Sequence, residues 1–256
     1  MAQALLIPLL EEGIFPPETV SAVVATTASA QRLQGALGLA VDTDAARAWK
    51  QPVILLATKP QQLQQVAALA PPFDPARPPL LVSLLAGVTL NRLQQSFPHA
   101  RLVRAVPNTP CLVRAGITGL AWGAAVEKEQ RDQVFRWFRV LGQVHELPES
   151  QLDGFLALAS SGPALVALLL EGLADGGVAA GLSRALAQEL ALAMMAGSVA
   201  LLREQELHPA QLKDMVASPA GTTIAALRRL EQGGVRSALI EAVLAAAERS
   251  RALADG

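Results

Sequence analysis

The first half of the chain alternates short apolar runs with stretches of helical periodicity. The apolar runs predict strands at 22–25, 53–57, 80–84 and 102–105, and the stretches between and after them predict helices at 30–37, 61–70, 90–96 and 125–141. A parallel sheet covered by helices on both faces gives this pattern, because its strands are buried on both sides and carry no polar alternation. The pattern predicts an α/β domain over residues 1–147.

After Pro148 the strand-like runs disappear, and stretches rich in Ala and Leu continue to the end of the chain. They predict helices at 163–175, 183–205, 208–216, 222–231 and 236–254, separated by Gly and Pro. We therefore expect an all-helical second domain over residues 148–256. The stretch at 183–205 is apolar around most of its circumference, which favours burial between subunits. The central helix of a monomeric bundle would show the same pattern.

The composition of the chain excludes several classes of function. The chain is 52% hydrophobic but only 4% aromatic, and its formal net charge of −1 provides no basic surface for nucleic acid. One cysteine and three scattered histidines lack the spacing of metal ligands, so we predict no metal. The apolar run at 4–10 lacks the basic flank of a signal peptide and is shorter than a membrane span. These features favour a cytoplasmic protein that does not bind membranes.

Two loops at predicted strand ends have the composition of ligand sites. In Arg104-Ala105-Val106-Pro107-Asn108-Thr109-Pro110, two prolines fix a polar turn that can present Asn108 and backbone N–H groups to a ring. In Ala57-Thr58-Lys59-Pro60, Thr58 and Lys59 can face a phosphate or ribose. The alternatives are a stiff turn capped by Asn108 and a surface lysine before a proline that begins a helix.

A third segment, Ser218-Pro219-Ala220-Gly221-Thr222-Thr223-Ile224, places small residues and hydroxyls at a predicted helix start. Backbone N–H groups and the helix dipole there would suit a carboxylate. The alternative is an N-cap formed by Ser218 or Thr222.

Taken in this order, the segments resemble those of the pyrroline-5-carboxylate reductase family. Residues 104–110 match R-x-M-P-N-T-P with Val106 for methionine, and 159–165 are similar to S-G-S-G-P-A-Y. Lys59-Pro60 and Ala86-Gly87-Val88 match two further family turns. The strongest match is 208–224 to H-P-x-x-L-K-D-x-V-x-S-P-G-G-T-T-I, with Ala220 for one glycine.

The resemblance implies hydride transfer from NAD(P)H to the C=N carbon of 1-pyrroline-5-carboxylate, giving L-proline in the last step of proline biosynthesis. Thr223 matches a catalytic hydroxyl near the ring nitrogen, and N–H groups of Gly221, Thr222 and Thr223 would hold the carboxylate. Further substrate-binding positions implied by the match are Glu149, Glu206, Asp214 and Ser218. Glu149 and Glu206 would also be explained as solvated acids at helix ends.

The implied cofactor-binding positions are Thr26, Thr27, Asp44, Thr58, Lys59, Pro60, Ala86 and Asn108. No acid follows the first strand to bind the ribose hydroxyls of NAD, and Arg32 can accept a 2′-phosphate, so NADPH is favoured and NADH is the alternative. Asp44 stands where the family has an asparagine near the adenosine.

A dinucleotide fold begins with a strand that runs into G-x-G-x-x-G/A, and Met1-Ala2-Gln3-Ala4-Leu5 resembles only the tail of the family's version. We expect roughly 10 to 15 further residues, a strand and a glycine loop, upstream of Met1. The predicted fold is thus an α/β Rossmann-like N-terminal domain with its first strand missing, followed by an all-α C-terminal dimerisation domain.

Two other functions fit the same plan. One is a 3-hydroxyacid dehydrogenase, although the one lysine after residue 150 is Lys213, inside the reductase-like motif. The other is a non-catalytic oligomeric remnant that lacks the phosphate-binding loop.

Overall fold

The computed structural model describes residues 1–254, which form two compact units. The first comprises residues 1–161 and the chain from 244 onward, and the second comprises 162–243. The strands, all in the first unit, are β1 (Ser21–Val23), β2 (Ala40–Asp42), β3 (Val53–Leu56), β4 (Leu80–Ser83), β5 (Arg101–Val106), β6 (Gly116–Trp122) and β7 (Gly142–Glu146). Its helices are α1 (Ala2–Glu11), α2 (Thr27–Leu37), α3 (Leu63–Ala67), α4 (Leu90–Ser96), α5 (Lys128–Arg139) and α6 (Leu152–Phe155).

The main sheet has the order β3-β4-β5-β6-β7, and its first three strands are parallel. β6 is antiparallel to β5, and β7 is parallel to β6. The predicted α/β fold is confirmed, but the apolar pattern failed to predict β2, β6 and β7. β6 contains Gly116 and Gly119, and β7 is largely polar, so neither has the composition of a buried strand.

Apolar side chains cover both faces of the main sheet. On one side α1 and α5 contribute Leu5, Leu9, Val134 and Phe138, all buried against the strands. The other side is packed by a second cluster around Trp49, Leu63, Leu93 and Phe97. From the segment 125–141, where a helix was predicted, Val126, Val134, Phe138 and Leu141 are buried in the core, whereas Phe135 is only partly buried.

A second, two-stranded sheet consists of β1 and β2 in parallel. Within residues 1–254, no strand pairs with the other edge of β1 or with the outer edge of β3. An apolar cavity lies beside β3, and its lining includes Leu5, Leu9, Val53, Leu55 and Trp137. Within the described residues, the two sheets are therefore not joined by strand pairing.

The second unit is all-helical, as predicted. It contains α7 (Gly162–Ala179), α8 (Arg184–Glu204), α9 (Pro209–Met215), α10 (Thr222–Gln232) and the start of α11 (Val235–Ala254). α7 and α8 pack through small residues, since Ala174, Ala187 and Ala191 are buried and a Cβ at Gly177 would lie 3.0 Å from the Cβ of Ala187.

Most apolar side chains of α8 remain exposed in a single chain. Leu190, Leu192 and Met194 are 48%, 59% and 50% exposed, which shows that α8 is not the buried centre of a monomeric bundle. By length and composition alone, the stretches 149–179 and 184–204 are apolar enough to cross a membrane, with mean hydropathies of 1.7 and 1.6. The second unit therefore has a large apolar surface that requires a partner.

Two residues of the second unit adopt left-handed backbone conformations that favour glycine. Glu206, with φ of 50°, ends α8 in a Schellman-type turn in which the N–H of Leu207 donates to the carbonyl of Leu202. Ala220, with φ of 55°, follows Pro219 in a turn closed by the N–H of Gly221 and the carbonyl of Ser218. Positive φ at the third residue of such a turn normally selects glycine.

We predict that Ala220→Gly leaves the protein equally stable or raises the free energy of unfolding by up to about 1 kcal/mol. Relief of left-handed strain, roughly 1 to 2 kcal/mol, outweighs the extra chain entropy of glycine, roughly 0.5 to 1 kcal/mol. Ala226→Gly, within the regular part of α10, should instead lower that free energy by about 1 kcal/mol. The midpoint of urea unfolding distinguishes the two, and equal losses in both variants would contradict the strain at Ala220.

Candidate functional site

Each predicted cofactor residue follows the carboxyl end of a parallel strand. Thr26 and Thr27 follow β1, Asp44 follows β2, Thr58 to Pro60 follow β3, Ala86 follows β4 and Asn108 follows β5. Because β3, β4 and β5 are parallel, Thr58, Ala86 and Asn108 lie at one edge of the main sheet. Ligands of open α/β sheets bind at this edge.

The start of α2 has the features of an anion site. Thr26 is the N-cap, and its Oγ1 accepts the N–H of Ser29 at 3.2 Å, while the first turn contains no acidic residue. Thr27 and Arg32 are exposed on this eleven-residue helix. The free N–H groups of the first turn and the helix dipole favour a phosphate there.

A carboxylate pair follows β2, beside the same small sheet. The Oδ1 of Asp44 accepts the N–H of Ala46 at 2.9 Å, so this exposed side chain caps its own turn. Hydrogen bonds from the N–H groups of Asp44 and Thr43 lower the pKa of the neighbouring Asp42. Asp42 is consequently anionic at neutral pH, and this loop is less suited to phosphate than the start of α2.

Thr58 provides an unsatisfied hydroxyl at the end of β3. Its Oγ1 is buried and has no hydrogen-bond partner among the described residues. A buried polar atom left in this state costs roughly 1 to 3 kcal/mol, which a ligand hydroxyl or phosphate would offset. The exposed Lys59 follows, with its N–H donating to Oε1 of Gln62, and Pro60 begins a short 3-10 turn. The residues present therefore fit a nucleotide cofactor.

At the end of β4, Ala86 is half-buried and Gly87 has a φ of 75°. This backbone conformation is one that glycine adopts without strain. The turn thus brings main chain, with little side chain, to the same edge of the sheet.

The side chain of Asn108 is bound within the protein. It is 4% exposed, its Oδ1 accepts the N–H of Ile117 at 2.9 Å, and its Nδ2 donates to the carbonyl of Ala159 at 3.1 Å. The hydroxyl of Ser160 donates to the carbonyl of Pro107 at 2.9 Å. A contact of Asn108 with a cofactor would therefore come from its backbone and not from its amide group.

Glu149 has protein partners for one of its two oxygens. Its Oε1 accepts both Nη1 of Arg104 at 2.7 Å and the N–H of Leu90, at the start of α4, at 2.6 Å. Arg104 is only 3% exposed. This arrangement gives Glu149 a structural role that sequence reasoning missed, as it missed Arg104 and Ser160. In the sequence, Arg104 could have been recognised as a charged residue inside the apolar run of β5.

In the second unit, Ser218, Gly221, Thr222 and Thr223 converge at the start of α10. Gly221 is the N-cap, no side chain caps this helix, and a Cβ at Gly221 would lie 2.3 Å from Oγ of Ser218. The interpretation of this segment as a side-chain N-cap made by Ser218 or Thr222 is therefore wrong. The first N–H groups of the eleven-residue helix have no side-chain acceptor and suit a carboxylate ligand.

Glu206 and Asp214 also belong to the second unit. Both are exposed, Glu206 at the end of α8 and Asp214 on α9, where its Oδ1 is 3.7 Å from Nζ of Lys213. Neither forms a described hydrogen bond with residues 218–223. Within residues 1–254, no cluster of three His, Cys, Asp or Glu side chains has metal-site geometry.

Comparison with known proteins gives consistent matches along the chain. The family model "Pyrroline-5-carboxylate reductase dimerisation" matches residues 149–253, and "NADP oxidoreductase coenzyme F420-dependent" matches residues 1–87. Pyrroline-5-carboxylate reductase of Synechocystis sp. is 46% identical over 99% of this chain and 94% of its own length. The enzyme of Methanosarcina acetivorans is 34% identical, with coverages of 99% and 94%.

Solved structures agree with these matches. The Plasmodium falciparum pyrroline carboxylate reductase with NADP bound has a TM-score of 0.90 and 29% identity, and covers 98% of this chain and 94% of that one. The Streptococcus pyogenes enzyme has a TM-score of 0.91 and 26% identity, with coverages of 98% and 95%. Together with the motifs at residues 104–110 and 208–224, these similarities show that the chain belongs to the pyrroline-5-carboxylate reductase family.

Proposed function

We propose that this chain reduces 1-pyrroline-5-carboxylate to L-proline in the cytoplasm, with NADPH as the hydride donor. The observation that carries the proposal is the start of α10, where Gly221 leaves uncapped N–H groups beside the hydroxyls of Thr222 and Thr223. The N–H groups suit the carboxylate of a small substrate, and a hydroxyl suits its ring nitrogen. The reaction requires binding and orientation by the protein, with no nucleophile.

In this proposal the N–H groups of Gly221, Thr222 and Thr223 bind the substrate carboxylate, and Ser218 borders them. The hydroxyl oxygen of Thr223 accepts a hydrogen bond from the protonated ring nitrogen, and so stabilises the protonated imine that accepts hydride at carbon. NADPH supplies the hydride when bound. The nitrogen keeps its proton, and the product is the secondary amine of proline. We retain Glu206 and Asp214 as candidate substrate-binding acids, whereas Glu149 acts through Arg104 and Leu90.

Support for NADPH comes from the first unit. The start of α2, with Thr26, Thr27 and Arg32, has no acid to bind the ribose of NAD and has donors for a 2′-phosphate. The unpartnered hydroxyl of Thr58 suits a ribose or phosphate oxygen. We assign further cofactor contacts to Asp44, Lys59, Pro60, Ala86 and the backbone of Asn108. The relative from Plasmodium falciparum was solved with NADP.

The exposed apolar faces of α7 and α8 support assembly into a homodimer or a larger homo-oligomer. Both helices fall inside the segment that matches the dimerisation model. A single chain leaves Leu190, Leu192 and Met194 about half exposed, and a second copy of the same surface is the simplest apolar partner.

The function is tested by mixing the purified chain with NADPH and 1-pyrroline-5-carboxylate and following proline formation. Turnover supports the proposal and excludes the non-catalytic remnant. A folded, assembled chain that forms no proline would contradict it.

We predict that Thr223→Ala lowers kcat about ten- to a hundredfold while the Kd for NADPH stays nearly unchanged. One hydrogen bond to the charged ring nitrogen is lost, worth roughly 1.5 to 3 kcal/mol, and no contact to the dinucleotide is removed. Thr223→Ser, which keeps the hydroxyl, should retain most of the rate. Steady-state kinetics and fluorescence titration with NADPH measure both effects, and an unchanged kcat would remove Thr223 from the mechanism.

We predict that Leu192→Glu dissociates the oligomer, because it places a charge in the proposed apolar interface. Leu69→Glu is the matched control, since Leu69 is 63% exposed in the first unit, close to the 59% of Leu192. Sedimentation velocity should give a smaller species for Leu192→Glu only. A wild-type chain that sediments as a folded monomer at micromolar concentration would refute the interface.

A further inference from the structure

The loop at residues 106–110 is attached to an unusual helical segment, Leu156–Ser160, which has π geometry. The N–H of Ser161 donates to the carbonyl of Leu156, five residues earlier. π turns are rare and occur frequently at functional sites. This π segment lies in the first unit, and two of its residues contact the loop that leaves β5.

The sequence explains why the carbonyl of Ala159 is available to the loop. Its helical partner four residues later would be Pro163, which has no N–H. Nδ2 of Asn108 donates to this carbonyl at 3.1 Å. The same side chain accepts the N–H of Ile117 on β6, so Asn108 joins the loop, the sheet and the π segment.

The second attachment is the hydroxyl of Ser160, which donates to the carbonyl of Pro107 at 2.9 Å. Pro107 and Pro110 have no N–H groups, so the loop has few backbone donors with which to fix its own position. Hydrogen bonds between the loop and residues outside it consequently determine where its backbone lies.

We propose that Asn108 and Ser160 are positioning residues that hold the loop at the carboxyl edge of the sheet through the π segment. The inference rests on the proposed function, since that edge is where the nicotinamide ring has to meet the loop backbone. Asn108 and Ser160 act on the reaction through the loop and do not contact the cofactor with their side chains.

Ser160→Ala is the sharpest test because it removes one hydrogen bond to the loop and leaves no large cavity. We expect kcat to fall about three- to tenfold, because one neutral hydrogen bond that orients the loop is lost. The Kd for NADPH should change less than about twofold. Amide hydrogen exchange should rise at residue 111, whose N–H donates to the carbonyl of Asn108 at 3.2 Å, and the Tm should stay close to that of the wild type. Ser160→Thr should restore kcat and protection.

Thr19→Ala is the matched control. The hydroxyl of Thr19 also donates to a proline carbonyl, that of Pro16, at 2.7 Å, but it is exposed and far in sequence from the loop. This variant should leave kcat and the exchange at residue 111 unchanged. Asn108→Asp gives a second arm, because the carboxylate keeps an acceptor for Ile117 and loses the donor to Ala159, so exchange should rise in the loop more than at residue 117.

The outcomes separate the two proposals. Ser160→Ala with kcat and loop exchange equal to those of Thr19→Ala overturns the positioning role. A Kd for NADPH that rises in proportion to the loss of kcat/KM overturns it too, because that result indicates a direct cofactor contact. An inactive wild-type chain refutes the proposed function, and the exchange rates and the NADPH titration then decide the positioning role alone.

Discussion

The architecture of the first unit depends on one buried charge. Arg104 lies on β5, the central strand of the five-stranded sheet, and is almost completely buried between β4 and β6. A guanidinium in this position must be paired, because an unpaired buried charge destabilises a protein by several kcal/mol. Glu149 is the partner, and the same carboxylate oxygen also accepts the first N–H of α4. The neutralisation of Arg104 thereby fixes the end of β5, the start of α4 and the chain that follows β7 relative to one another.

This arrangement explains how a loop with few hydrogen bonds of its own reaches a defined position. β5 is fixed by Arg104, and three and four residues later the loop is held through Pro107 and Asn108. On one side of it, Thr58 follows β3 and the turn at Gly87 follows β4 at the same edge of the sheet. In the second unit, the start of α10 presents main-chain N–H donors and the hydroxyls of Thr222 and Thr223 without charged side chains. Both devices suit a reaction that needs orientation more than acid–base chemistry.

Sequence reasoning succeeded where local pattern determines structure. β3, β4 and β5 were predicted because each is a continuous apolar run, and α4 was predicted with the bounds 90–96 that the structure shows. β6 and β7 were missed because glycines and polar residues there carry no strand pattern, and their pairing depends on neighbours distant in sequence. We expected Glu149 to contact the substrate. Its partners Arg104 and Leu90 lie 45 and 59 residues away in the sequence, so no local pattern indicates them. Likewise, the family motif drew attention to Asn108, but its bonds to Ile117 and Ala159 are formed only in the folded chain.

The separation of the two sheets has a consequence for how copies of the chain behave toward each other. Within residues 1–254, one edge of β1 and the outer edge of β3 have no strand partner, and Val23 and Leu55 are 39% and 41% exposed there. Exposed strand edges bind strands from other molecules, which leads to aggregation when nothing covers them. A symmetric contact between helices is satisfied at a fixed number of subunits, whereas strand addition at two edges can continue indefinitely. Among residues 1–254, the exposed apolar helices of the second unit and the two open strand edges are therefore different kinds of contact surface, and only the strand edges set no limit on the number of copies that can associate.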